Sequence, residues 1–410
     1  SSSSRRAFGF GGRLPGADLS AAKPYREVWP EAYVELPYPL PDGRRYELVA
    51  ALDADNYLLR PWTNVPVFPV VLNARTGEVR ELATVPASGF TKYESAGVGV
   101  TENNIYWIVA AEEAGGGGYR EVWSAPKTGG AAVRRAWFGP DENVDVSVAE
   151  VRGIFFASVR HSQHETSFIY RISEQGPPQS LPDGDGYVLV DGPWAEPLRV
   201  GPETIEELAE MSRAPRETPT YWNVATGERR TPRTLRGVTL VGCSPLTCLG
   251  HTADGFVSYG YDGSRPLRAT GVPVSPDGDA LFDSTGRFVQ IRTTPFGGSA
   301  YLWDRRTNRV GRQVENMGAM GGSVIDLGQS SNTQFALNLT RPGGDYSAAF
   351  AAKFGVLDYA GTISLAYEEI ITSAAAQAAG FNPTAGKAFF LGSLAFYQQV
   401  VTERGGLGPN

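Results

Sequence analysis

Three features of this sequence have the chemistry to bind or react: a histidine cluster, a cysteine pair and acidic or aromatic loops. The three histidines fall in two short runs, Arg160-His161-Ser162-Gln163-His164-Glu165 and Gly250-His251-Thr252. Two imidazoles and a carboxylate this close offer the nitrogen and oxygen donors that hold zinc and other transition ions. A hairpin loop does not fix ligand geometry as one face of a helix would, so contact with a ligand or partner, or plain solvation, are competing readings. Cys243 and Cys248 flank Ser-Pro-Leu-Thr. A Ser-Pro turn between them could fold the thiols together as a disulfide. A buried reduced pair and half a zinc site are the alternatives, and no Cys or His at suitable spacing completes the metal set. A disulfide implies an oxidising compartment.

The elements that must position these residues follow from a repeat. An apolar, aromatic-containing strand runs into a Gly, Asn or Asp turn and then into a more polar strand. Val70-Val71-Leu72-Asn73-Ala74-Arg75-Thr76-Gly77 is one copy, and Tyr221-Trp222-Asn223-Val224-Ala225-Thr226-Gly227 is another. The turn residues fall at 77, 129, 176, 227, 263 and 308, giving intervals of 52, 47, 51, 36 and 45, the period of a four-stranded blade. Glycine and asparagine suit such hairpins because the turn needs positive φ. One blade cannot bury both of its faces, so the blades must close into a ring. The expected fold is all-β: a seven-bladed β-propeller over 29–340, after an N-terminal arm at 1–28. The seventh blade would take Ser323–Leu327 and Thr333–Leu339, with a strand near Ala32–Leu36.

The loops between second and third strands would share one end of the ring, opposite the tight third-to-fourth turns. That end would collect the candidate binding residues Trp62, Arg160, His161, His164, Glu165 and His251. It would also carry the longest loop, Arg199 to Thr218, in which Pro202-Glu-Thr-Ile-Glu-Glu reads as a short helix start with acidic residues in its first turns. The Glu112-Glu113-Ala-Gly-Gly-Gly-Gly loop would stand alongside. Long loops on a rigid scaffold are where binding usually resides.

Residues 341–410 have another character. Tyr367 to Gly380 is alanine-rich with a glycine stop, and about Ala385–Glu403 follows Asn382-Pro383, so a small α-helical C-terminal extension is expected. It would cap the propeller, or dock a protein partner or a second copy; Phe354–Ala366 also reads as a further hairpin. The Ala388–Tyr397 run is too short to span a bilayer, and no transmembrane helix is expected. The opening Ser-Ser-Ser-Ser-Arg-Arg lacks a signal-peptide core, which fits a mature exported form or a cytoplasmic protein. Net charge is −7 with basic residues scattered, which argues against nucleic-acid binding.

Trp29-Pro30 ahead of Leu40-Pro41-Asp42-Gly43-Arg44-Arg45-Tyr46, Cys243-Ser244-Pro245 with Cys248, and Tyr301-Leu302-Trp303-Asp304 resemble the TolB-like β-propeller proteins exported by actinobacteria. The resemblance spans about residues 25–340. It implies a non-catalytic protein of the cell envelope or extracellular space and offers no catalytic residue to carry over. Residues beyond 340 depart from the pattern.

No constellation in the chain demands catalysis: there is no Gly-x-Ser-x-Gly elbow and no phosphate-binding loop. The expected function is that of a binding or scaffold protein. The alternatives are a hydrolase or lyase with a metal such as calcium in the central channel, and a structural subunit of a larger assembly. No cofactor is otherwise expected.

Overall fold

The computed structural model describes residues 16–62, 68–82, 90–113, 117–139, 144–161, 166–173, 176–198, 218–272, 279–282, 286–292, 300–312, 320–321, 324–329 and 333–338. An N-terminal arm comes first, with β1 (Gly16–Asp18), β2 (Lys23–Pro24), α1 (Tyr25–Val28) and β3 (Tyr33–Pro37). Six antiparallel sheets of consecutive strands follow. The first holds β4 (Arg45–Ala51), β5 (Asn56–Trp62), β6 (Val70–Asn73) and β7 (Val79–Glu81). The second holds β8 (Phe90–Val100), β9 (Asn104–Glu113), β10 (Gly118–Pro126) and β11 (Val133–Phe138). The third is β12 (Val144–Val151), β13 (Ile154–His161), β14 (Thr166–Ile172) and β15 (Gln179–Ser180). The fourth is β16 (Tyr187–Asp191), β17 (Trp194–Pro197), β18 (Tyr221–Asn223) and β19 (Arg229–Arg230). The fifth is β20 (Thr239–Cys243), β21 (Thr247–Thr252), β22 (Gly255–Gly260) and β23 (Leu267–Thr270). The sixth is β24 (Asp279–Phe282), β25 (Phe288–Arg292), β26 (Ala300–Asp304) and β27 (Arg309–Arg312). A closing sheet joins β28 (Met320–Gly321), β29 (Val324–Gln329) and β30 (Thr333–Asn338) to β3.

The first strands of neighbouring sheets meet, β4 with β8, β12 with β16 and β20 with β24, and β28 and β29 lie against β4 to complete the ring. This is a β-propeller. Its core is a set of seams between sheets. Leu58 and Val71 of the first blade pack on Trp107 and Val109 of the second. Tyr106 and Ile108, the alternate residues of β9, pack instead on Phe155, Ala157 and Val159 of the third. Side chains of one strand thus serve two seams by turns, as the two-residue period of a strand requires. Tyr106 fits because Gly99 lies opposite: a Cβ there would stand 2.6 Å from the tyrosine hydroxyl.

The structure corrects the expectation of seven blades followed by helices. Six blades are contiguous units between Arg45 and Arg312, matching the six turn residues of the repeat, Gly77, Gly129, Gly176, Gly227, Gly263 and Asn308, all with positive φ. The closing sheet is not a further copy of that unit, since it borrows β3 from the far end of the chain, pairing Tyr33 with Leu337 through Pro37 with Thr333. The described residues are almost devoid of helix, which is confined to four-residue α1 and the three-residue 3-10 turn Leu19–Ala21. The helical extension is therefore not supported. Alanine content is a weak predictor beside tertiary context, and the segments 367–380 and 385–403, like the rest of 341–410, lie outside the described residues.

The arm has a definite job. Its β1 adds a fifth, parallel strand to the outer edge of the fifth blade along β23, and β2 does the same to the sixth along β27. Covering such edges removes unpaired N–H and C=O groups that would invite association. Asn308 Nδ2 donates to the Gly16 carbonyl at 2.6 Å, and Leu19, 1% exposed, enters the core formed by Val241, Leu249, Phe256 and Val289. Leu19→Ala should cost about 2–5 kcal/mol, as for any buried leucine. A urea titration would show the midpoint falling, and an unchanged midpoint would mean that the arm is not part of the cooperative unit.

Candidate binding face

The two ends of the ring differ in chemistry. At one end lie the first-to-second and third-to-fourth turns, tied across the seams by polar contacts. Glu150, near the end of β12 and 7% exposed, reaches the turn before β9. It accepts hydrogen bonds from Asn104 Nδ2 at 2.9 Å, Thr101 Oγ1, and the backbone and side-chain amides of Asn103. Burial pushes its carboxyl up, but the donors of Asn104, Thr101 and Asn103 outweigh this and hold it below the ordinary carboxylate range. Lys127, beside it, is pushed down chiefly by burial against the opposing pull of Glu150 and Glu102.

The disulfide turn is a second tie at this end. Cys243 and Cys248 are bonded partners directly opposite one another on β20 and β21. Tyr221 of the fourth blade donates its hydroxyl to the Cys243 carbonyl at 2.6 Å, and Arg230 Nη1 donates to the Pro245 carbonyl. On the other side Thr247 Oγ1 donates to the Gly286 carbonyl of the sixth blade, and Arg305 Nη1 donates to both. The turn thus joins three blades.

At the opposite end lie the second-to-third connections. Among them the one between Pro197 and Tyr221 is the longest, and its 199–217 portion, with the predicted acidic helix start, lies outside the described residues, as does the 114–116 part of the glycine loop. Trp62 ends β5 opposite Arg45. Arg160 and His161 end β13, and His251 stands one residue before the end of β21, opposite Thr239 and Phe256. His164 and Glu165 lie outside the described residues. His161 is half-buried, edge-on to Phe168 with ring centroids 6.3 Å apart. Trp62, Arg160, His161 and His251 therefore share one end of the ring, but the structure does not gather them into one cluster. His161 belongs to the third blade and His251 to the fifth, with the fourth between. Among the described residues no three His, Cys, Asp or Glu are placed to hold a metal ion. No described helix is long and apolar enough to cross a membrane.

Sequence reasoning missed the arginines that close the seams. Arg80 on β7 donates to the Lys127 carbonyl of the next blade. Arg135 on β11 stacks 4.7 Å from the Phe155 ring of the third blade, and Arg230 on β19 lies 4.7 Å from the Tyr261 ring of the fifth. Arg309 on β27 lies over Trp29 and donates to the Val28 carbonyl. A guanidinium can stack on an aromatic face and donate in plane at once, which suits it to the wet rim of an apolar seam. The signal was present as an arginine on the polar strand after a turn residue.

No protein-family model and no curated protein matches the chain. Solved structures that resemble it include oligogalacturonate lyase from Vibrio parahaemolyticus (7% identity, covering 72% of this chain and 89% of that one, TM-score 0.42). The β-propeller domain of the trilobed protease from Pyrococcus furiosus is 12% identical, covering 70% and 86%, with a TM-score of 0.38. The WD40 domain of SCAP from fission yeast is 8% identical, covering 76% and 99%, with a TM-score of 0.34. These likenesses are to propellers of differing activity, and no activity passes from them to this chain. A TolB-like or actinobacterial affiliation is not among them.

Two outcomes test the tied end. A carboxyl held low in the folded state stabilises above the ordinary value of about 4.3 and loses that contribution as pH falls through its folded value. Glu150→Gln should therefore cost about 1–3 kcal/mol at pH 7, with the gap from wild type narrowing below about pH 4 in thermal melts. A pH-independent gap would contradict the charged role. Replacing Cys243 and Cys248 together by serine should cost about 2 kcal/mol, the constraint expected of so short a ring, read as a lower urea midpoint in non-reducing buffer.

Proposed function

We propose that this propeller is a non-catalytic binding protein that holds a ligand or protein partner on the end carrying the second-to-third strand connections, and that it works in an oxidising compartment outside the cytoplasm. One observation carries the reading: the division of labour between the two ends. The tight turns of one end are committed to Glu150, the disulfide turn and their inter-blade bonds. The other end carries the long connection after Pro197 together with Arg160, His161 and His251. Residues that do not hold the ring together are those a ligand can use. The compartment is proposed from the disulfide, and the likeness of the Trp29–Tyr46, Cys243–Cys248 and Tyr301–Asp304 segments to exported TolB-like propellers points the same way.

The test uses the full chain immobilised against extract of its native source. Proteins retained should be lost at least tenfold by a Trp62→Ala, His251→Ala double variant and kept by Arg75→Glu at the tied end. Loss with Arg75→Glu, or with neither variant, would reject this face as the working surface.

A further inference from the structure

We propose that Arg160 and Ser167 form a site for one oxyanion, a carboxylate or a phosphate group, in the seam between the third and fourth blades. The proposal rests on the binding-face reading and gives it a ligand chemistry. Arg160 and Ser167 are direct partners across β13 and β14, and partners of this kind present their side chains to the same side of the sheet. Ser158, two residues before Arg160 and so on that same side, identifies the seam, because its hydroxyl accepts from the Leu189 amide of the fourth blade at 3.1 Å. Ser167 is 0% exposed and its hydroxyl meets no hydrogen-bond partner. The Arg160 Nε–H is likewise buried without a partner.

The Arg268 Nε–H is buried in the same way, but that arginine donates through Nη2 to Asp254. Several half-buried arginines among the described residues meet carboxylates: Arg60 meets Glu47, Arg230 meets Glu228, and Arg287 meets Asp304 on two nitrogens. Others donate to a carbonyl or a hydroxyl, as Arg80 does to Lys127 and Arg135 to Ser124. Arg160 makes no such bond among the described residues. Asp145, its neighbour across β12, is exposed and leaves the Nε–H unsatisfied. A buried donor without an acceptor is costly, and a guanidinium fork beside a hydroxyl offers several donors converging on one planar or tetrahedral anion. The positive charge excludes a cation. The 181–186 connection lies along the edge of β14: the Gly186 amide donates to the Ser167 carbonyl, and a Cβ on Gly184 would stand 3.0 Å from the Ile169 nitrogen. Half-exposed Arg160 is the way in.

The experiment follows the arginine Nε–H signals of the full chain, labelled with 15N-arginine, during titration with sodium phosphate and, separately, sodium acetate, with ionic strength held constant by chloride. The expected result is saturable movement of one signal that is absent from Arg160→Gln, with apparent Kd raised about five- to tenfold in Ser167→Ala while its melting temperature is kept. Preference for phosphate or acetate identifies the kind of anion. Absence of saturation, or movement that persists in Arg160→Gln, would overturn the site, and an equal response to chloride alone would reduce it to screening. If the face variants abolish partner capture while neither anion binds, only the oxyanion assignment falls. If an anion binds at Arg160 while capture ignores the face, the face reading falls instead.

Discussion

Residues 105–111, Ile-Tyr-Trp-Ile-Val-Ala-Ala, are buried on both sides of their sheet, and this two-sided burial is the constraint on which the molecule depends. A strand with apolar groups on both sides needs a neighbour on each side, and that neighbour has the same need. The only end to such a series is a circle. The seams Leu58–Trp107, Tyr106–Phe155, Phe156–Leu189, Tyr221–Cys243 and Leu249–Val289 are successive terms of it, and the packing of β3 on the first blade through Leu36, Tyr46 and Leu48 returns it to its start.

Polar groups occupy what the apolar seams leave over. At the rim, arginines of the outer strands stack on aromatic rings of the following sheet. At one end, a buried carboxylate and a disulfide-bonded turn draw several backbone and side-chain donors across the joints. These contacts leave that end with little chemistry to spare. The asymmetry therefore follows from how a meander of four strands distributes its turns, with hairpins too short to do more than fasten on one side and connections free to lengthen on the other.

The repeat was legible because its punctuation is stereochemical. Gly77, Gly129, Gly176, Gly227, Gly263 and Asn308 all sit at positive φ between third and fourth strands, where side chains other than glycine or asparagine are strained. The cysteine pairing was legible as one of three readings, since four intervening residues with Ser-Pro suit a hairpin. The joining of a strand near Ala32–Leu36 to those at 323–327 and 333–339 was legible, and β3 does pair with β30; counting this sheet as a further copy of the repeat was the error, since none of the repeat's turn residues falls in it. The helical extension came from composition alone, which is the weakest kind of signal. Glu150 was not legible at all, and the rim arginines were legible only as arginines on the polar strand after a turn residue, without their contacts. Their partners lie on a neighbouring sheet, as Glu150 and Thr101 do at a separation of 49 positions, and nothing local marks such a contact.

The strap formed by β1 and β2 has a consequence for the order of events during synthesis. Residues 16–24 leave the ribosome before any blade exists, yet their docking sites on β23 and β27 are completed only after about Arg312 has been made. The hydrogen bond from Asn308 to Gly16 spans 292 positions. What is made first is fastened last, so throughout elongation this ribbon must wait in the open, and the outer borders of two sheets stay bare until the nearly finished disc can accept it.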